Sequence, residues 1–251
     1  MKNNLLTLPR QKKNALGVYI GECGETVAEI AAYAGFDYMR FDLEHSLVGP
    51  SRLQNLIRIA DAANLPTLVR IGSLDEITKV LDFGASGVLV PDVSTADQAR
   101  EAVRRSKYRP LGERGMTNIG RFVQYGKLPL SSFVERANNE VALCVQIESR
   151  EGIENLDEIL AVPGIDIVTT GRQDLSQSYG VPGNSSHPEV DKAEEYVIQK
   201  AVAAGLQLMV TAGTPERMRE LRQKSVYLHT ICFDVQFITQ QFAGLLESFR
   251  D

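Results

Sequence analysis

The sequence predicts an α/β protein, a (β/α)8 TIM barrel, with residues 1–251 forming a single domain. Short apolar runs with the composition of buried strands occur eight times, and helical patterns separate them. This strict alternation is typical of a parallel sheet, and eight repeats favour closure into a barrel. A length of 251 residues suits one such barrel. An open, doubly wound sheet is the alternative architecture.

Each predicted strand is a run of four to six residues rich in the aliphatic and aromatic types that fill a buried sheet. In chain order the strands are Ala15–Ile20, Tyr38–Phe41, Thr67–Arg70, Gly87–Val90, Leu143–Ile147, Ile165–Thr169, Leu206–Val210 and Leu228–Phe233.

Each predicted helix has apolar residues at helical spacing, as in the first, where Val27, Ile30, Ala31 and Ala34 share a face. The helices are Thr26–Ala34, Ser51–Ala63, Glu76–Leu81, Thr95–Arg105, Gly152–Leu160, Val190–Ala204, Pro215–Gln223 and Phe237–Phe249. The segment 106–139 interrupts the alternation as a long, loop-rich connection. Such a connection is usually functional or contacts another subunit.

Composition narrows the function classes. The net charge of −5, with basic residues scattered among acidic ones, provides no field to hold a polyanion, so nucleic acid is not an expected partner. The three cysteines are far apart, which fits reduced thiols and a cytoplasmic location. No apolar stretch is long enough for a signal peptide or a membrane span. The first fourteen residues instead carry Lys2, Arg10, Lys12 and Lys13.

Two carboxylates end neighbouring strands of the predicted barrel. Glu148 follows strand five, and Asp174 lies in the turn after strand six. Consecutive strand ends lie side by side in a barrel, and like charges that close need a cation or a shared proton. A divalent metal that prefers oxygen ligands meets this need and keeps coordination positions for substrate. The alternative for Asp174 is an N-cap of the following helix, whose free N–H groups suit a substrate carboxylate.

Other polar residues follow strands two and three. His45 lies beside Asp42 and Glu44, and a carboxylate bonded to an imidazole suits general base catalysis. Arg70 ends strand three, where it would stabilise an oxyanion or simply extend into solvent. Asp82, before strand four, is a candidate site residue or a helix-end residue. No lysine ends a strand, so a Schiff base has no candidate, and no zinc or phosphate-loop motif is present.

These residues occur within an ordered set of short motifs that resembles the HpcH/HpaI aldolase/citrate lyase family. This family includes the metal-dependent 4-hydroxy-2-oxoheptanedioate and 2-dehydro-3-deoxyglucarate aldolases. The motifs cover most of the chain: Glu29-Ile-Ala-Ala-Tyr-Ala-Gly-Phe-Asp37, Asp42-Leu-Glu-His-Ser46, Leu81-Asp-Phe-Gly-Ala85, Gly87-Val-Leu-Val-Pro91, Arg114-Gly115, Val145-Gln-Ile-Glu-Ser149, Gly171-x-x-Asp-Leu-Ser176 and Ser186-His-Pro-Glu-Val190.

The resemblance implies a role for each site residue. Glu148 and Asp174 would hold Mg²⁺, Mn²⁺ or Co²⁺, on which pyruvate chelates, and Arg70 would steady the enolate oxygen. His45, oriented by Asp82 with Asp42 nearby, would move protons to and from the substrate hydroxyl. The remaining substrate-binding positions are Gln146, Arg172 and the start of the helix at Leu175 and Ser176.

The implied activity is that of a class II aldolase that reversibly cleaves a 4-hydroxy-2-oxo acid to pyruvate and an aldehyde. A CoA-ester lyase of the citrate lyase β type and a non-catalytic protein that binds 2-oxo acids are the alternatives. Arg172 departs from the family pattern, which usually has Gly-Pro before this turn. It either selects an acidic or phosphorylated aldehyde or faces solvent. The family also implies a homo-oligomer, a hexamer or trimer of dimers.

Overall fold

The computed structural model describes residues 4–11 and 14–250 and confirms the predicted (β/α)8 barrel. The sheet is closed and entirely parallel, with each strand paired to the next and β8 paired to β1. The strands are β1 Ala15–Ile20, β2 Tyr38–Asp42, β3 Thr67–Arg70, β4 Gly87–Val90, β5 Ala142–Ile147, β6 Ile167–Thr170, β7 Gln207–Thr211 and β8 Leu228–Phe233. Lys2, Lys12 and Lys13 lie outside the described residues.

Helices surround the barrel and connect its strands. They are α1 Leu8–Gln11, α2 Gly24–Ala34, α3 Pro50–Ala62, α4 Ile77–Asp82, α5 Ala96–Ser106, α6 Leu130–Glu140, α7 Arg150–Glu154, α8 Leu156–Leu160, α9 Arg172–Ser178, α10 Pro188–Ala203, α11 Pro215–Gln223 and α12 Asp234–Ser248. Short 3₁₀ helices occupy Leu5–Thr7, Leu74–Glu76 and Arg121–Gly126.

Two connections differ in detail from their predictions. The segment 106–139 contains most of α6, whose apolar residues Phe133 and Ala137 are buried one helical turn apart, so it is not loop throughout. The predicted helix 152–160 is two short helices that meet at Asn155.

The protein has two apolar layers. One lies between the strands and the surrounding helices, and the other fills the barrel. Leu5 and Leu8 belong to the inner layer and pack against Ala15, Leu68 and Leu228, so the N-terminal segment closes the amino end of the barrel. The opposite end, where the carboxyl ends of the strands open to solvent, is the end at which barrels of this kind place their reactive groups.

Strand alternation decides which side chains enter the barrel. Tyr38 is in the inner layer, so Arg40 and Asp42, two and four residues later on β2, face the same way. Cys144 on β5 is also in the inner layer, which places Gln146 on the inner face. The successive inner positions change from apolar to polar or charged toward the carboxyl end of the barrel.

The last helix is largely uncovered. In α12 only Asp234 is buried, and its carboxylate accepts hydrogen bonds from the backbone N–H groups of Gly21 and Cys23. Large apolar side chains of the same segment are exposed: Val235, Phe237, Phe242, Leu245, Leu246 and Phe249. Within the described part of the chain, no helix is both long and apolar enough to cross a bilayer.

Candidate active site

An ion pair with two hydrogen bonds connects β2 and β3 at the mouth of the barrel. Arg70 donates from Nε to Asp42 Oδ1 at 2.6 Å and from Nη2 to Asp42 Oδ2 at 2.8 Å. The Tyr19 hydroxyl on β1 donates to Asp42 Oδ2 at 2.5 Å. Although burial opposes ionisation, these hydrogen bonds lower the pKa of Asp42 to about 2. Asp42 therefore remains an anion and fixes the orientation of the Arg70 guanidinium.

His45 lies at the edge of this group, and one of the two carboxylates adjacent in sequence lies beside its imidazole. Its side chain is 64% exposed, and Nε2 lies 3.5 Å from Glu44 Oε2. The same Glu44 oxygen lies 3.1 Å from Arg70 Nη1. Asp42 contacts only the backbone N–H of His45, at 3.1 Å. Glu44, rather than Asp42, therefore places a carboxylate beside the imidazole.

Asp82, which was predicted to orient His45, pairs with a different residue within this chain. Asp82 is the last residue of α4, and its carboxylate accepts a 2.7 Å hydrogen bond from Arg114 Nη2. The Arg114 guanidinium is buried and stacks over Tyr108 and Phe122. Asp82 thus anchors the connection between α5 and α6, as expected of a helix-end residue.

Glu148 follows β5 and is held by two donors. The backbone N–H of Asp92 donates to Oε1 at 2.8 Å, and the Gln146 amide donates to Oε2. Burial raises the pKa of Glu148 to about 7, and the nearby carboxylates of Asp174 and Glu44 act in the same direction. Gln146 lies on the inner face of β5 beside this carboxylate, as the alternation predicts.

Asp174 lies in the first turn of α9 and is exposed. The helix begins at Arg172, so its first N–H groups without an intrahelical partner are those of residues 172–174. The predicted positions Leu175 and Ser176 are one turn further in. The Leu175 N–H donates to Gly171 O, its side chain packs in an apolar cluster, and Ser176 bonds Gln173 O and Gly183 N. Both side chains therefore have intramolecular partners, and a substrate contact at this turn stays a prediction.

Arg172 is not a free cation. Its Nη1 donates to Glu194 Oε2 at 2.6 Å, and it also pairs with Asp191 and donates to the Ser185 carbonyl. Glu194 is 1% exposed, and it also accepts from Thr170 and from Arg217. Asp191 and Glu194 therefore hold the Arg172 guanidinium in place, and selection of an anionic aldehyde by this residue stays a prediction.

The mouth of the barrel contains a cavity of about 540 Å³. It brings together five predicted site residues: His45, Arg70, Gln146, Arg172 and Asp174. Glu148 lies directly behind Gln146 and is 6% exposed.

Sequence reasoning missed four residues of this site: Tyr19, Arg40, Asp92 and Glu194. Tyr19 and Arg40 were detectable in part, because each occupies an inner-face position of its strand. Glu194 shares the buried face of α10 with Val190 and Val197, where a carboxylate needs a partner. The Asp92 contact uses only the backbone, so no side-chain signal marks it.

The residues at the strand ends suit a divalent cation. Glu148 and Asp174 are close enough to raise the pKa of Glu148, a repulsion that a bound cation would relieve. The Gly171 backbone lies against this carboxylate, since a Cβ there would be 2.0 Å from Glu148 Oε2. Carboxylate and amide oxygens are the donors that Mg²⁺ and Mn²⁺ prefer. Among the described residues, no group of three or more His, Cys, Asp or Glu forms a metal cluster, so water or substrate would supply the other ligands.

The fold and the mouth site define a class: a (β/α)8 enzyme with acidic and basic side chains at the carboxyl ends of its strands. The chain belongs to the HpcH/HpaI aldolase/citrate lyase family, whose model matches residues 15–240. Membership confirms the resemblance predicted from the motifs. It makes the chain a carbon–carbon lyase of the aldolase type.

The chain is similar in sequence or structure to known proteins over most of its length. It is 37% identical over 229 residues to the 2-keto-3-deoxy-L-rhamnonate aldolase of Escherichia coli O17:K52:H18, covering 87% of this chain and 84% of that protein. The HpcH/HpaI aldolase from Desulfitobacterium hafniense DCB-2 superposes with a TM-score of 0.92 at 30% identity, covering 99% and 97% of the two chains. The citrate synthase SbnG superposes with a TM-score of 0.90 at 27% identity, covering 98% and 97%.

Proposed function

We propose that this chain is a metal-dependent class II aldolase that reversibly cleaves a 4-hydroxy-2-oxo acid to pyruvate and an aldehyde. The observation that carries the proposal is the arrangement of Arg70, fixed by Asp42, beside the neighbouring carboxylates of Glu148 and Asp174. Cleavage leaves the bonding electrons on the pyruvate half as an enolate, and an anion needs fixed positive charge at its oxygen.

Arg70 would supply that charge. Its guanidinium is held on one side by Asp42 and Glu44, so it cannot turn away when negative charge develops on the substrate oxygen. A preoriented donor of this kind requires no reorganisation during the reaction. The Tyr19 hydroxyl, which donates a hydrogen bond to Asp42, keeps the pair in place.

His45 would transfer the protons. In the cleavage direction, a base removes the proton of the substrate hydroxyl, the C3–C4 bond breaks, and the aldehyde leaves. A proton must then reach C3 of the enolate. His45 lines the cavity and has the Glu44 carboxylate beside Nε2, which suits both transfers.

Glu148 and Asp174 would hold the divalent cation, and the Gln146 amide would orient the Glu148 carboxylate. The cation supplies Lewis acidity, which polarises the carboxylate and keto oxygens of the 2-oxo acid.

The test measures pyruvate release from a panel of 4-hydroxy-2-oxo acids, including 2-keto-3-deoxy-L-rhamnonate, before and after removal of metal with EDTA. Activity should disappear with EDTA and return with Mg²⁺, Mn²⁺ or Co²⁺. Glu148→Gln and Asp174→Asn should abolish activity while circular dichroism stays unchanged, because strand-end residues serve chemistry more than stability. Activity that persists in EDTA would contradict the proposal.

Two alternatives are separated by the same preparations. A CoA-ester lyase would release a CoA thioester from substrates such as malyl-CoA. A binding protein would bind pyruvate without exchanging its methyl protons with solvent. Metal-dependent exchange of those protons with ²H₂O supports the aldolase.

We propose further that the protein is a homo-oligomer, such as a hexamer or trimer of dimers, and that α12 contributes to the contacts. Its apolar side chains are exposed, and a cavity of about 680 Å³ lined by apolar residues of α2 and the start of α12 lies beside it. Exposed apolar surface of this extent marks an interaction site.

We also propose a cytoplasmic location, which the three free thiols of Cys23, Cys144 and Cys232 support.

A further inference from the structure

One buried cation in the barrel, Arg40, has no anionic partner among the residues that the structure describes. Four cationic side chains are buried in the described part of the chain: Arg40, Arg70, Lys107 and Arg114. Three of them form ion pairs, Arg70 with Asp42, Lys107 with Asp166, and Arg114 with Asp82. Among residues 4–11 and 14–250, no carboxylate forms an ion pair with Arg40.

The contacts of Arg40 are too weak to compensate for its burial. Arg40 is 7% exposed, and its Nε has no hydrogen-bond partner among the described residues. Its Nη2 donates to Gln146 Oε1 at 3.4 Å. The guanidinium carbon lies 5.5 Å from the centre of the Tyr19 ring. Burial and the nearby positive charge of Arg70 both lower the pKa of Arg40. Burial of an unpaired charge costs free energy, so selection for stability alone would not favour it.

The position of Arg40 connects this cost to the active site. Arg40 is on the inner face of β2, and it lines the same cavity as Arg70, Gln146 and Asp174. The Gln146 side chain separates it from the carboxylate of Glu148, because the amide oxygen accepts from Arg40 and the amide nitrogen donates to Glu148. An anion on Arg40 would therefore occupy a different place from one beside Glu148 and Asp174.

We propose that Arg40 binds a second carboxylate of the substrate, so that this chain prefers 2-oxo diacids over 2-oxo monoacids. The inference rests on the proposed function, because the first carboxylate is the one next to the keto group that Glu148 and Asp174 would bind through the cation. The second carboxylate belongs either to the pyruvate half, as in oxaloacetate, or to the aldehyde half. Both sources share the chemistry of a carboxylate on a buried guanidinium.

The binding test uses ligand pairs of equal chain length: oxaloacetate with 2-oxobutyrate, and 2-oxoglutarate with 2-oxovalerate. Affinity is measured by calorimetry with Mn²⁺, and stabilisation by thermal shift in EDTA. The diacid of at least one pair should bind about tenfold or more tightly than its monoacid, as a hydrogen bond between charged groups provides. Arg40→Leu should remove this preference by lowering the affinity for diacids much more than the affinity for monoacids.

Two control variants isolate the buried charge. Arg40→Lys keeps the charge and should retain part of the preference. Arg100→Leu removes the same charge from the exposed surface of α5 and should change nothing. Without ligand, Arg40→Leu should unfold at the same or a higher temperature, since an unpaired buried cation is removed. Equal affinity of the wild type for diacid and monoacid in both pairs, or an equal loss for both acids in Arg40→Leu, would overturn the inference.

The source of the carboxylate is decided by kinetics. If it belongs to the aldehyde half, kcat/KM for a 4-hydroxy-2-oxo acid that ends in a carboxylate should fall about tenfold or more in Arg40→Leu, relative to one that ends in a neutral group. If it belongs to the pyruvate half, the oxaloacetate pair alone should respond. A wild type that releases no pyruvate from any acid would refute the proposed function, whereas the binding comparison in EDTA would still test Arg40.

Discussion

The Asp42 carboxylate holds the Arg70 guanidinium through hydrogen bonds of 2.6 and 2.8 Å across the β2–β3 pair, at the floor of the mouth cavity. The pair leaves Arg70 fully charged and restricts it to one orientation. Lysine has one compact donor group in place of the planar fork and cannot reproduce both contacts. In the proposed reaction, stabilisation of the developing enolate oxygen depends on this pair.

Asp42→Asn should lower kcat by about 10²-fold, because it releases the Arg70 guanidinium while leaving the cation ligands intact. Arg70→Lys should have a similar effect. Since the pKa of Asp42 is about 2, its charge is constant from pH 5 to 9, and the defect should not vary over this range. Steady-state kinetics across pH provides the measurement. A defect that vanishes at high pH would argue against this role.

Gly171→Ala should weaken metal binding by about tenfold or more, since the added Cβ would lie 2.0 Å from Glu148 Oε2 and displace that ligand. Gly213→Ala is the matched control at the carboxyl end of β7, where a Cβ has no neighbour within 4 Å. Titration with Mn²⁺ followed by electron paramagnetic resonance compares the two. Equal affinity in both variants would show that the Gly171 backbone does not position the ligand.

Metal-free protein should lose stability as the pH rises from about 4.5 to 7. Glu148 has a pKa of about 7 in the folded chain against a usual value of 4.5, so in this interval the native state keeps a proton that the unfolded state has released. Above pH 7 the buried carboxylate is ionised in the native state, and the loss of unfolding free energy has reached its full value. Thermal unfolding in EDTA should show this loss in the wild type and a smaller one in Glu148→Gln.

His229 should produce the opposite dependence. It is fully buried on β8, neither ring nitrogen has a hydrogen-bond partner, and burial lowers its pKa from 6.5 to about 4. Its contribution is present above pH 6.5 and is lost as the pH falls toward 4, because the unfolded state takes up the proton first. His229→Leu should reduce this acid sensitivity. Each 1 kcal/mol retained should raise the unfolding temperature by about 2–4 °C.

Phe242→Glu and Leu246→Glu should lower the oligomeric state. Both side chains are more than half exposed on α12, so a charge there removes apolar surface available for association without disturbing the barrel core. Gln241→Glu, which adds the same charge to the helix without removing an apolar side chain, is the control. Light scattering coupled to size-exclusion chromatography measures the mass. A monomeric wild type would contradict the oligomer proposal.

The sequence by itself determined the architecture, because alternation of apolar strands and amphipathic helices is a local property of the chain. The boundaries of β1, β3, β4 and β8 match the predicted runs. The motifs also identified the family. They located most of the polar residues at the strand ends, because each of these residues closely follows a predicted strand.

Only the tertiary structure decided which side chains are partners. Asp42 and Glu44 are both near His45 in sequence, yet Asp42 bonds Arg70, and Asp82 bonds Arg114 on the connection to α6. Arg172 pairs with Glu194, twenty-two positions later, and no carboxylate of the described residues pairs with Arg40. Partner choice depends on the direction of side chains across the closed barrel and on burial, which sets the cost of an unpaired charge. Neither quantity can be read from spacing along the chain.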